Sequence, residues 1–433
     1  MLLLVDVMNG ELHAGNFDSS FDAPDGIAAT VNILHISLPK PTSDAFPRTK
    51  PWLIQHNPRS SLELKLIGAK YFNKAGGNFV KGASVFGYGN GTSKGGSPKA
   101  RVAAYKVCWS SCYDADILAG FDAAIHDGVD VLSVSLGGFA SDYISDTIAI
   151  GSFHAVKRGI VVVASAGNDG PTDGSVTNVA PWLFTVGAST LDREFPTYVD
   201  LGNKQKFKGQ SLSADSLPSG KIYPLVSGGS AKFINASVEA AQICVSGTLD
   251  PKLVKGKIVV CVRGDTGRVD KGKQALLAGA VGMILVNDEL SGNGLIADPH
   301  LLPASHISYK DGLAVLAYIN STKTPTAYIT RPTTKLRTKP APSMASFSSK
   351  GPNTVTPGIL KPDITAPGVS IIASYSGAVG PSGQDYDTRR VAFNTESGTS
   401  MSCPHISGIA GLLKTLHPDW SPSAIRSAII TTG

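Results

Sequence analysis

From about residue 99 onward the apolar positions fall into two alternating patterns. Short runs that are apolar at nearly every position (99–107, 129–136, 160–164 and 181–188) are separated by longer stretches with a period near 3.6. The clearest of these is 114–127, where Ile117, Leu118, Phe121, Ala124 and Ile125 share one face; 147–157 is the next. Strands apolar on both faces and separated by helices predict a parallel sheet covered on both sides, an α/β fold. A second βαβ-like unit follows between about 215 and 335: strand 257–262, helix 271–280, strand 281–287 and helix 312–319. Towards the end, 406–416 reads as a buried helix with Gly408 and Gly411 on its close-packed side, and Ser421-Pro422 caps a last helix over 423–430. Residues 1–61 follow neither pattern. They hold strand-like scraps and a stretch rich in Pro, Ser and Asn, and are expected to be poorly packed.

The chemistry-bearing residues cluster where these elements meet. Ser397-Gly398-Thr399-Ser400-Met401-Ser402-Cys403-Pro404-His405 runs straight into the 406–416 helix. Ser400 is therefore expected at a helix mouth, facing free backbone N–H groups and the positive end of the dipole. Pro404 is expected in the first turn, where its missing N–H matters little. In Val163-Ala164-Ser165-Ala166-Gly167-Asn168-Asp169-Gly170, a strand end is followed by an asparagine whose carboxamide can project into a cleft. A third strand end, Ser133-Val134-Ser135-Leu136-Gly137-Gly138, can offer Ser135, Leu136 and Gly137 to an extended peptide by β-augmentation. The plain alternatives are an N-cap cluster, a turn asparagine and a buried strand stopped by glycine.

Taken together, in order and spacing, these strings resemble the subtilisin-like serine proteases, and the plant subtilases most closely, from about Leu66 to Gly433. The resemblance implies a subtilisin-like α/β fold and peptide-bond hydrolysis through an acyl-enzyme. Ser400 would be the nucleophile, Asn168 the oxyanion donor, and Ser135, Leu136 and Gly137 the cleft edge. It divides the chain into an unassigned segment 1–61, a first catalytic part 62–214, a protease-associated insert 215–335 and a second catalytic part 336–433. It also suggests a Cys244–Cys261 disulfide; two buried free thiols are the alternative. The turn-rich segments Phe347-Ser348-Ser349-Lys350-Gly351-Pro352 and 361–368 match the family's approach to the nucleophile.

The resemblance also breaks. Subtilases bring an acid in an Asp-Thr/Ser-Gly motif and a base in a His-Gly-Thr-His motif, in the chain order Asp, His, Ser. Neither motif is present. Leu66 to Lys74 resembles the segment upstream of the histidine and Ala75 to Val80 the segment after it, fused at Lys74–Ala75. Asp6, His13, His35 and His56 precede the serine but lack the motif's surroundings, and His405 lies too close to Ser400 along one helix. His126, His154, His300, His306 and His417 read as surface or core residues. An impaired protease is therefore expected, with a pseudoprotease that binds peptides or protein partners as the alternative. A sheet lacking its first strand would expose an edge and core and leave a marginally stable product.

Composition changes this picture little. With 433 residues, 42% apolar and 17% charged, the chain can bury large cores. The net charge of +6 is spread without a basic run, which argues against nucleic-acid binding. No apolar run approaches the ~18 residues of a membrane span. Gly87 to Gly96 is glycine-rich, but no Gly-Lys-Ser/Thr completes a phosphate loop, and the five cysteines do not make a zinc pattern. No cofactor or metal is called for, and the only partner implied is a peptide or protein substrate. Plant subtilases are secreted, so an extracellular glycoprotein is expected, with sequons at Asn90, Asn235 and Asn320 in loop-like sequence. Met1 to Val5 is too short and unflanked to read as a signal peptide, and the resemblance leads one to expect a C-terminal β-domain after residue 433.

Overall fold

The computed structural model describes residues 32–37, 79–98, 100–108 and 111–432, the first stretch as backbone. The Lys74–Ala75 junction, Asp6, His13 and His56 lie outside the described residues.

The elements run in chain order from β1 (Asn32–Ser37), β2 (Val80–Val85), β3 (Tyr88–Ser93) and β4 (Arg101–Lys106) to α1 (Asp114–His126), β5 (Val131–Val134), α2 (Thr147–Lys157), β6 (Val161–Ser165) and β7 (Phe184–Ser189). Then come β8 (Arg193–Glu194), β9 (Pro196–Leu201), β10 (Lys206–Gln210), β11 (Tyr223–Ser227), α3 (Val238–Gln242), α4 (Pro251–Val254), β12 (Ile258–Val262), α5 (Arg268–Leu277), β13 (Gly282–Val286), β14 (Ala304–Ile307), α6 (Tyr309–Ser321) and β15 (Thr326–Ile329). The chain ends with β16 (Lys335–Leu336), β17 (Ile364–Pro367), β18 (Ile371–Ser374), β19 (Phe393–Glu396), α7 (Thr399–Leu416) and α8 (Pro422–Thr432).

One sheet has the order β17-β7-β6-β5-β1-β4. Its strands β5, β6, β7 and β17 pair in parallel. Alternate residues of each strand serve opposite cores, as a period of two requires. Leu132, Val134, Val162 and Ala164 pack with Ile117 and Phe121 of α1 and Ile148 of α2. Val131, Val161, Val163 and Phe184 pack with Cys403, Ile406 and Ala410 of α7 and Ile425 of α8. The expected α/β architecture is thus present as three layers.

One strand departs from the expectation. β1, from the segment read as foreign to the fold, lies between β4 and β5 and runs antiparallel to both. The sheet therefore runs from β5 through β1 to an edge at β4, where a sheet short of its first strand had been expected. Any extended segment can satisfy both ladders, so a six-residue strand of this kind leaves little trace in local sequence.

The second unit is a closed barrel, β10-β14-β13-β12-β11-β15-β9. Ile258, Val260, Ile284 and Val286 face one core with Val315 and Tyr318 of α6, whereas Val259, Cys261, Met283 and Leu285 face another with Ala275 of α5. Closure takes two strands, β9 and β10, from upstream of residue 215, because only they can pair β14 with β15 around the ring. Disulfides join Cys244 to Cys261 and Cys108 to Cys112, and Cys403 is free and buried. The three sequon asparagines are exposed, but Asn90 lies in β3 and Asn320 in the last turn of α6, not in loops.

Candidate active site

The two strand ends and the helix start singled out in the sequence converge at the carboxyl edge of the parallel strands, where open α/β sheets place their sites. α7 begins at Thr399, seven residues before its apolar stretch, so Ser400 occupies its first turn. Gly398 precedes it without a side-chain cap. Thr399 N–H is taken by Asn168 Oδ1 at 2.9 Å, whereas Ser400 N–H has no acceptor among the described residues and stays open as a donor.

Asn168 lies just past the end of β6, after Ala166 and Gly167. Its Oδ1 also accepts from the Thr399 hydroxyl at 3.1 Å. Thr399 N–H can only donate, so the carboxamide oxygen must face it and the NH₂ is left to point elsewhere. The carboxamide stands beside the Ser400 peptide: a Cβ added to Gly398 would lie 3.5 Å from Nδ2 and 3.7 Å from Ser400 N. Gly167 N–H donates to Thr399 Oγ1 at 3.2 Å. Gly167 itself has φ +101°, and a side chain there would press on Ser349 Oγ at 2.8 Å, so glycine is required twice over.

Pro404 is not in the first turn. It is the sixth residue of α7, where a helix normally needs its N–H for the carbonyl four residues back, that of Ser400. Ser135 Oγ donates to Ser400 O at 3.1 Å and replaces that lost bond. Ser135 thus supports the Ser400 backbone. The other two cleft-edge residues are occupied internally. Leu136 is buried, and its carbonyl accepts from Asn178 Nδ2 at 2.7 Å. A Cβ on Gly137 would meet Thr177 Oγ1 at 3.0 Å, so internal packing accounts for its small size. β5 ends at Val134, and residues 135–138 follow it outside any regular element.

Among the described residues no side chain reaches Ser400 Oγ. His405 bonds through Nδ1 to Met401 O in its own helix, and burial lowers its pKa. His126 and His154 are exposed, and His417 stacks on Trp420. His300 and His306 are buried in the barrel unit, held neutral by desolvation at pKa values of about 4 and about 3. Asp169, next to the candidate donor, has its pKa raised by burial. No group of three or more His, Cys, Asp or Glu among the described residues is placed to hold a metal ion.

Sequence reasoning missed Thr399 and Ser349 as residues that hold Asn168, and Asn178, whose side chain ties Leu136 O to Ser165 O. The one signal available was the hydroxyl pair Ser348-Ser349 in a turn-rich string.

Comparison with known proteins bears on the same residues. Residues 74–433 match the family model described as "Subtilase family". Subtilisin-like protease SBT5.4 of Arabidopsis thaliana is 62% identical over 403 residues, covering 85% of this chain and 52% of its own length. Subtilisin-like protease SBT5.3 of the same plant is 58% identical over 402 residues with the same coverage, and SBT1.7 is 52% identical over 367. The chain spans about half the length of the curated relatives it matches.

Proposed function

From the premise that this chain belongs to the subtilase family, we propose that Ser400 is the acylating nucleophile of a serine endopeptidase site with Asn168 as its oxyanion donor, and that the chain as it stands is catalytically impaired. The observation that carries the reading is the Thr399–Asn168 pairing. It turns the carboxamide oxygen away from the site and leaves an NH₂ beside the open Ser400 N–H, the two donors an acyl-transfer oxyanion needs. The impairment follows from the missing base. Without a histidine on its Oγ, the serine stays a neutral alcohol at pH 7. In subtilisin itself, from which the figure comes, losing the triad histidine lowers kcat about 10⁶-fold, and the oxyanion hole and binding alone leave about 10³–10⁴ over water.

The substrate is an extended peptide at the cleft edge of Ser135, Leu136 and Gly137, met at the exposed Gly137 because the Leu136 carbonyl is already taken. The barrel, lying in sequence between Asn168 and Ser400, is the protease-associated insert, bounding substrate access. Two disulfides and three exposed sequon asparagines support an extracellular glycoprotein. A second reading, peptide binding without turnover, is favoured by the free Ser400 Oγ.

A fluorophosphonate probe with peptide-hydrolysis and peptide-binding assays separates them. Slow labelling at Ser400, abolished in Ser400→Ala and at least tenfold slower in Asn168→Ala, is the expected result, with hydrolysis orders of magnitude below an intact triad. Saturable peptide binding with no labelling over days would establish the second reading instead.

A further inference from the structure

Asn168 sits on a strand end in a Gly-Asn-Asp-Gly stretch, where a carboxamide has little intrinsic reason to keep one direction. Thr399 holds its oxygen. What holds the backbone that carries it is a single residue from a segment 180 positions away. Ser349 N–H donates to Gly167 O at 3.0 Å, on the peptide before Asn168. Its hydroxyl accepts from Asp169 N–H at 3.0 Å, on the peptide after it. One step further out, Gly170 N–H donates to Phe347 O at 2.9 Å.

The clamp is itself fixed. Ser349 is fully buried, and the neighbouring Ser348 Oγ accepts from Ala188 N–H at 2.9 Å, anchoring the turn to the end of β7. The fit is close, since Gly167 has no room for a Cβ against Ser349 Oγ. A group that bonds both flanking peptides of one residue restricts the rotation that would swing its side chain. An oxyanion donor misdirected by about 1 Å can lose up to ~10²-fold in rate.

We propose that Ser349 is a positioning residue for the oxyanion donor, setting the direction of the Asn168 carboxamide through the peptides on either side of it. The proposal rests on Asn168 being that donor. It separates two hydroxyls adjacent in sequence: Ser349 serves the site, and Ser348 serves the fold.

The test uses the full chain with ¹⁵N-asparagine, the Asn168 side-chain signal being assigned by its loss in Asn168→Ala. Ser349→Ala is expected to shift or broaden that signal and to slow fluorophosphonate labelling of Ser400 about tenfold, well short of the ~10²–10³ for loss of a whole donor. Ser348→Ala should lower the unfolding midpoint and move both readouts less than Ser349→Ala does; an equal or larger movement would overturn the proposal. Ser349→Cys keeps the shape with a weak acceptor and should give a smaller change of the same kind, so the test survives if the alanine variant does not fold. An unmoved Asn168 signal in the folded Ser349 variants overturns the proposal, whatever the labelling rate. No labelling of the unaltered chain, or labelling indifferent to Asn168→Ala, would instead overturn the assignment of Ser400 and Asn168, while the carboxamide signal still reports on Ser349.

Discussion

Pro404 takes one backbone donor out of the helix that carries Ser400, and Ser135, just past the end of β5, puts one back. The pair shows what a linear reading can and cannot recover at the scale of single residues. Ser400 and Asn168 stand in strings specific enough to be picked out by residue type and order. Their partners are not legible, because Ser135 meets Ser400 across 265 positions and Ser349 meets Asp169 across 180. Ser135→Ala leaves the Ser400 carbonyl without its donor. It should lower stability by about 1 kcal/mol, the usual net worth of one hydrogen bond. Urea unfolding checks this, with an unchanged m-value showing that the fold is intact.

At the scale of elements, period carried most of the assignment. α2 over Thr147–Lys157 and the strands β5, β6 and β12 lie where apolar runs and helical faces placed them, since burial on one stripe or both faces imprints the sequence directly. α7 begins earlier than its apolar stretch because its first turn is built from small polar residues that carry no apolar period. β9 and β10 carried no mark of belonging to the barrel, as a strand's own residues do not name its neighbour. The Cys244–Cys261 bridge joins the end of α3 to β12 across 17 positions. Replacing both cysteines by alanine should reduce stability by about 3 kcal/mol, the loop-entropy figure for a loop of that size. Thermal melts with and without reductant check it: reductant should shift the unaltered chain more than the double variant.

At the scale of the whole molecule, the barrel is joined to the hairpin leading into α7 by a buried polar seam. Arg389, in the loop between β18 and β19, donates to Pro299 O, His300 O and Asp387, and Arg268 pairs with Asp298 at 2.6 Å. His300 lies in this seam with both ring nitrogens unpartnered, facing Asp298, Arg268 and Arg389. Burial, reinforced by the two guanidiniums, takes its pKa from 6.5 to about 4, and His306 follows to about 3. A depressed histidine pKa means that the unfolded chain binds protons first. Stability is therefore full above about pH 6.5 and falls as pH drops towards 4. Asp298, held at about 2 by Arg268 despite its burial, adds nothing to this window. Urea midpoints should fall between pH 7.5 and 4.5. His300→Leu, which removes a buried ring with no hydrogen bonds, should flatten that slope with no loss of stability at pH 7.5.

The sequence by itself determined the α/β class, most helices and parallel strands, and the family, and it singled out Ser400 and Asn168 as the residues proposed for nucleophile and oxyanion donor. These are properties of residue type and local period, which burial and chemistry write along the chain. Only the tertiary structure decided that residues 32–37 enter the sheet antiparallel, that the barrel closes with strands from residue 196, that Ser135 completes the helix broken by Pro404, and that Thr399 bonds Asn168 while Ser349 bonds the peptides on either side of it. Each of these depends on hydrogen bonds between backbone or hydroxyl groups distant in sequence. Such groups are nearly alike in every residue, so only the folded geometry selects the partner.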